Sequence, residues 1–270
     1  MSKIDLKDIS IITFVKLDTE ERIENIRIRT DYLRYNCTNI ETIFIEEDNE
    51  PKLLNHIKLG DNDKYIFYKT DTQWNKCRAY NNGVKLSTRD VLCFLDIDII
   101  IDTNAFIETV EQLNKQDALI YPFDGRFLCV SKDIKKSFNS SLHYELLKNI
   151  IPEQSHVINY KDKNILVGHN NSVGACVMTT KNLFQKFNGY NPGFIGWGYE
   201  DNELPKRVHI LGHQVGRLNS KYPAFHLPHD GVGQDVKQFN PYYEQNKLLC
   251  QKIETSTKEE LEKAIKEWSI

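Results

Sequence analysis

The sequence predicts an α/β fold, and three observations carry that prediction. A β-branched apolar run, ISIITFV at Ile9–Val15, is followed by a helical pattern and then by a second apolar run at 40–45. Strand, helix and strand in that order build a parallel sheet with helices packed on it. A further apolar run, VLCFL at Val91–Leu95, ends in Asp96-Ile97-Asp98, and open sheets of this class bind ligands at the carboxyl ends of their strands.

The elements follow in order. Residues 20–35 set Ile23, Ile26, Thr30 and Leu33 at helical spacing, and the strand at 40–45 ends in Glu46, Glu47 and Asp48. An acid at that strand end can meet a nucleotide base or ribose, and equally Glu46 and Glu47 can be solvated loop charges. A short strand at 65–68 precedes a helix at 74–86, loosened at Asn81-Asn82-Gly83. The run 90–101 holds an apolar strand that ends in Asp96-Ile97-Asp98. Residues 103–113 place Phe106, Val110 and Leu113 on one helical face. Strands at 118–121 and 127–130 are interrupted by Pro122 and Gly125, and 133–151 is helical in part. The polar stretch 152–171 predicts a mobile loop. A strand at 173–178 and a short helix at 180–187 come next. A helix at 204–211 has Pro205 in its first turn, where proline is tolerated, so Glu200 and Asp201 sit at its mouth. Residues 214–218 return as a strand. Thr257 and Glu260 form a capping box for a last helix with Leu261, Ala264, Ile265 and Trp268 on its apolar face.

The bulk properties narrow the function. A formal charge of −3 gives no general attraction to nucleic acid or to an anionic membrane, and no apolar run is long enough for a membrane span. The six cysteines are scattered with no C-x-x-C pair, which fits reduced, buried thiols in a cytoplasmic protein.

Two motifs carry chemistry. Asn188 to Glu203, NGYNPGFIGWGYEDNE, holds four glycines and three acids in sixteen residues. Glycines let a ligand approach the backbone, aromatics offer faces to a sugar ring, and adjacent carboxylates offer a base and a hydrogen-bond acceptor. The bland alternative is a surface loop ending in a helix cap. Asp96 and Asp98, two apart on a strand, would share a face and could lean toward one divalent cation, whose usual partner is a diphosphate. Two acids capping a strand is the competing reading. Arg78 is either a surface arginine or a phosphate holder, a task its planar fork suits.

These residues carry a resemblance. NGY…GWGYED resembles the acceptor-site motif of the β-1,4-galactosyltransferase family and of related bacterial polysaccharide glycosyltransferases. Arg78-Ala79, Asn82-Gly83 and Asp96-Ile97-Asp98 resemble that family's upstream run and the D-x-D signature of metal-dependent GT-A enzymes. The resemblance implies a GT-A fold, a Rossmann-like nucleotide-diphospho-sugar transferase with a mixed central sheet. It sets the catalytic domain at 1–245, with the donor half over 9–130, the acceptor half over 170–232, and a helical extension at 246–270. It implies an inverting transfer of galactose or N-acetylgalactosamine from a UDP-sugar to a glycan hydroxyl. Asp201 would be the base and Glu200 would hold the acceptor. Trp197, Gly198 and Tyr199 would line the acceptor site, and Arg78, Asn82, Asp96, Glu47 and Asp48 the donor site. Asp98 and His226, joined by Asp96 and with His229 as second choice to His226, would bind Mn²⁺, or else Mg²⁺. Vertebrate members add a methionine ligand, but this chain has only Met1 and Met178. Eukaryotic members carry a Golgi anchor; none is visible here. The expectation is therefore a cytoplasmic bacterial enzyme of surface polysaccharide synthesis, with peripheral association at the inner face of the membrane left open, as is the oligomeric state. A sugar-nucleotide nucleotidyltransferase and a non-catalytic carbohydrate-binding subunit are the rival readings. The first usually opens with a glycine-rich phosphate loop, where this chain has Lys16-Leu17-Asp18-Thr19.

Overall fold

The apolar run at Ile9–Val15 forms the second strand and lies inside a seven-stranded sheet, with Ile11, Ile12 and Val15 buried. The structure is a computed structural model that describes residues 3–151, 161–219, 222–230 and 240–268. The chain begins β1 (Ile4–Asp5), β2 (Ile9–Val15), α1 (Glu20–Asn36), β3 (Cys37–Thr38), β4 (Glu41–Asp48) and β5 (Lys64–Lys69). It continues through α2 (Lys76–Leu86), β6 (Val91–Leu95), β7 (Ile99–Ile100), α3 (Thr103–Leu113), β8 (Ala118–Tyr121) and β9 (Phe127–Val130). Then come α4 (Lys132–Ser141), α5 (Tyr144–Lys148), β10 (Ile165–His169), β11 (Cys176–Thr180) and α6 (Lys181–Lys186). It ends with α7 (Glu200–Ile210), β12 (Gln214–Arg217), β13 (Ala224–His226), α8 (Tyr243–Glu254) and α9 (Lys258–Lys266).

The large sheet has the order β12-β8-β11-β6-β2-β4-β5. β6, β2, β4 and β5 are parallel, while β11 runs antiparallel to both β6 and β8. It is the expected mixed sheet. A second sheet, β10-β9-β13-β7, branches from the end of β6. Its β13–β7 pairing sets His226 opposite Ile99, one residue beyond Asp98. The reversal at β11 matters as much. Cys176 opposes Leu95, so the start of β11 and the end of β6 lie at the same end of the sheet.

Several expectations change. β6 stops at Leu95, and Asp96 to Asp98 form a turn closed by the Ile99 amide on the Asp96 carbonyl at 3.4 Å, so the two acids do not share a strand face. Glu46, Glu47 and Asp48 are neither a loop nor solvated. They belong to β4 and are buried, because partners reach them from neighbouring segments. α2 passes unbroken through Asn81-Asn82-Gly83. Gly83 is there for close packing: a Cβ on it would lie 2.5 Å from Ile12 Cγ2 and 2.7 Å from Ile45 Cδ1. The expected loop at 152–171 contains β10, an edge strand pairing with β9, whereas 152–160 lie outside the described residues. α7 starts at Glu200 and not beside Pro205, which is its sixth residue. The capping box at Thr257 and Glu260 is present, but Ala264 is exposed and the buried face is Leu261 and Ile265. All six cysteines are free and buried.

Candidate active site

The end of the sheet where β6 stops gathers the chemistry. Asp98 is buried, with one carboxylate oxygen 3.4 Å from His226 Nε2 and 3.3 Å from His229 Nε2. One potential ligand atom from each of the three lies within 4.8 Å of the others. The cluster is braced from behind. The Leu227 amide donates to the Asp98 carbonyl at 2.8 Å, and Asn25 of α1 donates to the Leu227 and Pro228 carbonyls at 3.1 and 3.3 Å. Burial works to raise the Asp98 carboxyl, but His226 and His229 outweigh it and hold it well below the usual carboxylate range. For His229 burial works downward, and Asp98 outweighs it to raise the imidazole. One oxygen donor and two imidazole nitrogens fit a borderline ion such as Mn²⁺. Asp96, expected beside them, instead turns to the Tyr80 hydroxyl at 2.8 Å and to Lys76 at 3.2 Å.

Lys76, in the first turn of α2, is the residue that sequence reasoning missed. Its ammonium is buried 3.2 Å from Asp96, 3.6 Å from Asp201 and 3.8 Å from Glu200. The acids of the D-x-D turn and those of the downstream motif therefore surround one cation. Burial would lower its pKa, but Asp201, Asp96 and Glu200 hold it well above the ordinary value. A lysine beside a helix N-cap carries no motif, so no local signal marks it. Asp201 lies in the first turn of α7 against Gly174, where any Cβ would come within 2.6 Å of its carboxylate. Burial pushes the Asp201 carboxyl up to about 7; Lys76 pulls against this, while Glu200 and Asp96 add to it. Glu200 is buried, with Oε2 accepting the Gly198 amide at 2.9 Å and Oε1 accepting no hydrogen bond.

The remaining predicted residues divide. Trp197 is 49% exposed on the loop before α7, next to Gly198 (φ 120°) and Tyr199 (φ 71°). A non-glycine residue in that region is uncommon, and such residues gather at functional loops. Arg78, its side chain half exposed, reaches buried Glu47 at 3.2 Å. Glu47 also accepts the Asn75 amide at 2.8 Å, and Asn75 caps α2 while donating to the Pro192 carbonyl at 2.8 Å. Asp48 is paired with Lys16 and Lys52. Asn82 bonds Lys85 on its own helix. Its neighbour Asn81, which sequence reasoning passed over, is buried and bonds both the amide and the carbonyl of Tyr190 at 2.8 Å. α2 is thus sewn to the glycine-rich motif at both Asn75 and Asn81.

The model of glycosyl transferase family 2 matches residues 27–178, and that of the N-terminal domain of galactosyltransferase matches residues 156–230. No curated protein matches. Among solved structures, a Drosophila β-1,4-galactosyltransferase 7 mutant in complex with manganese, UDP-Gal and xylobiose is similar at TM-score 0.52 and 13% identity, over 94% of this chain and 82% of that one. The catalytic domain of the Drosophila enzyme with xylobiose gives TM-score 0.48 at 15% identity over the same shares. The first of these likenesses is one of fold, and the fold is GT-A.

Proposed function

This chain belongs to glycosyl transferase family 2, and we propose that it moves galactose or N-acetylgalactosamine from a UDP-sugar to a hydroxyl of an acceptor glycan, inverting to a β-linkage. The observation that carries the reading is the convergence on Lys76: Asp96 from one motif and Asp201 and Glu200 from the other lie 3.2, 3.6 and 3.8 Å from one ammonium. A single pocket can then hold a donor diphosphate on one side and an incoming alcohol on the other.

Each residue has a role in that pocket. Asp201 takes the acceptor hydroxyl's proton as its oxygen bonds to the sugar's anomeric carbon; the bond to the UDP oxygen breaks, and UDP leaves with the electron pair. Glu200, with an unbonded oxygen in the buried site, accepts a neighbouring acceptor hydroxyl. Trp197 covers the sugar ring. Asp98, His226 and His229 would hold Mn²⁺, and Mg²⁺ less well given two imidazoles. Such an ion, when bound, supplies Lewis-acid stabilisation of the diphosphate leaving group. Arg78, held by Glu47, stands ready at the donor side, and Asp96 faces the ribose. The reading extends to bacterial surface polysaccharide synthesis in the cytoplasm, by extension of the motif resemblance. Among the described residues no helix is long and apolar enough to cross a membrane.

The test is UDP release from a panel of UDP-sugars, with and without Mn²⁺, against free mono- and disaccharide acceptors that include xylobiose. Metal-dependent UDP release that requires an acceptor supports the reading. Glycan binding with no donor consumed would make the chain a binding module instead.

A further inference from the structure

We infer that the C-terminal segment is part of the acceptor site, with Asn240 and Asn246 as positioning residues that hold the loop from Ile195 to Tyr199 in place. The inference rests on the glycosyltransferase reading of that loop and goes beyond it, because no motif reaches past residue 230. Asn246, fully buried on α8, uses both ends of its amide on one residue: it accepts the Ile195 amide at 3.3 Å and donates to the Ile195 carbonyl at 2.9 Å. That is how a neighbouring strand would pair with Ile195, supplied here by one side chain. Asn240, also buried, donates to the Ile195 carbonyl at 3.0 Å and to the Trp197 carbonyl at 2.6 Å. Its oxygen accepts the Tyr242 amide at 3.0 Å, which fixes the amide plane.

The loop is shaped to receive these groups. Gly196 has φ 66°, and a Cβ there would lie 2.7 Å from the Asn240 oxygen. At Gly198 a Cβ would lie 3.1 Å from the Tyr243 ring, and the Tyr243 hydroxyl meets that of Tyr199 at 3.2 Å. A loop with positive φ at Gly196, Gly198 and Tyr199, on either side of an exposed tryptophan, has little intrinsic reason to stay put. Side-chain bonds from α8 and its approach supply that reason. The backbone at Ile195 and Trp197 cannot shift without breaking them.

Asn240→Ala and Asn246→Ala are each compared with wild type by steady-state kinetics on the acceptor that wild type uses best. UDP affinity with Mn²⁺ and hydrogen exchange over 195–199 are measured beside them. kcat/KM for the acceptor is expected to fall about 10- to 100-fold, mainly through KM. UDP affinity should stay within about two-fold, since among the described residues the Asp98 cluster shares no hydrogen-bond partner with these asparagines. Exchange at the Gly196 and Gly198 amides, now bonded to the Trp74 carbonyl and to Glu200, should quicken about ten-fold or more. If an asparagine variant does not fold, Gly196→Ala presses on Asn240 from the other side and should give the same split. Unchanged exchange, unchanged acceptor KM, or UDP affinity falling in step with acceptor use would each overturn the inference. If wild type transfers sugar to no acceptor, the enzymatic reading fails, and exchange alone then decides whether the segment holds the loop.

Discussion

Asp201 receives opposing instructions from its surroundings. It sits in the first turn of α7, where the helix dipole lowers a carboxyl pKa. It also sits beside buried Glu200 and buried Lys76, and desolvation wins, bringing the carboxyl up to about 7. A general base works best with its pKa near the working pH. Because the base must be ionised, kcat/KM should rise with pH through about 7 and level off above it. Asp201→Asn should lose about 10²- to 10⁴-fold in transfer yet keep UDP and Mn²⁺ binding. Normal turnover in that variant would remove Asp201 from the role. Asp98 answers a different question. It faces both imidazoles, so Asp98→Ala should abolish metal-dependent UDP binding, and calorimetry giving wild-type affinity would dismiss the cluster as a metal site.

Helices and strands show which parts of the fold the sequence could reveal. β2 and β6 were legible because an apolar run needs nothing distant to explain it. The acids of β4 were not, since the partners that satisfy buried Glu47, Asn75 and Arg78, come some thirty residues later. The downstream acids could be read as a site from composition alone, while Lys76, which joins them to Asp96, has no local mark and becomes visible only once β11 reverses direction. Gly83 shows the same limit. Its sequence suggests a weak point in α2, yet it is the place where the helix meets Ile12 and Ile45. Gly83→Ala therefore opposes two effects: alanine favours the helix by about 1 kcal/mol, and overpacking costs about 1–3 kcal/mol. The contact at 2.5 Å decides for overpacking. Urea unfolding should show a lower midpoint with an unchanged slope, and a midpoint above wild type would mean that the sheet yields freely at that point.

At the scale of the whole molecule, Lys76 ties the donor-side turn to the first turn of α7. Three carboxylates around one ammonium leave the pocket short of positive charge, and this adds to the burial that raises the Asp201 carboxyl. The sign for stability follows from that direction. Asp201 protonates more readily folded than unfolded, so its favourable contribution is complete below the ordinary carboxyl range and fades as pH rises through about 7. Lys76→Met removes the cation that compensates Asp201 and should extend that loss to still higher pH. At pH 8 the variant should be less stable than wild type by about 3–5 kcal/mol, the usual result of stripping one partner from a buried ion pair. At pH 5.5 the deficit should shrink, because a protonated Asp201 no longer repels Glu200 and Asp96. Denaturant midpoints at the two pH values measure this directly. An equal deficit at both would assign the lysine's contribution to the packing of its hydrocarbon stem, and the two halves of the pocket would then be joined by shape and not by charge.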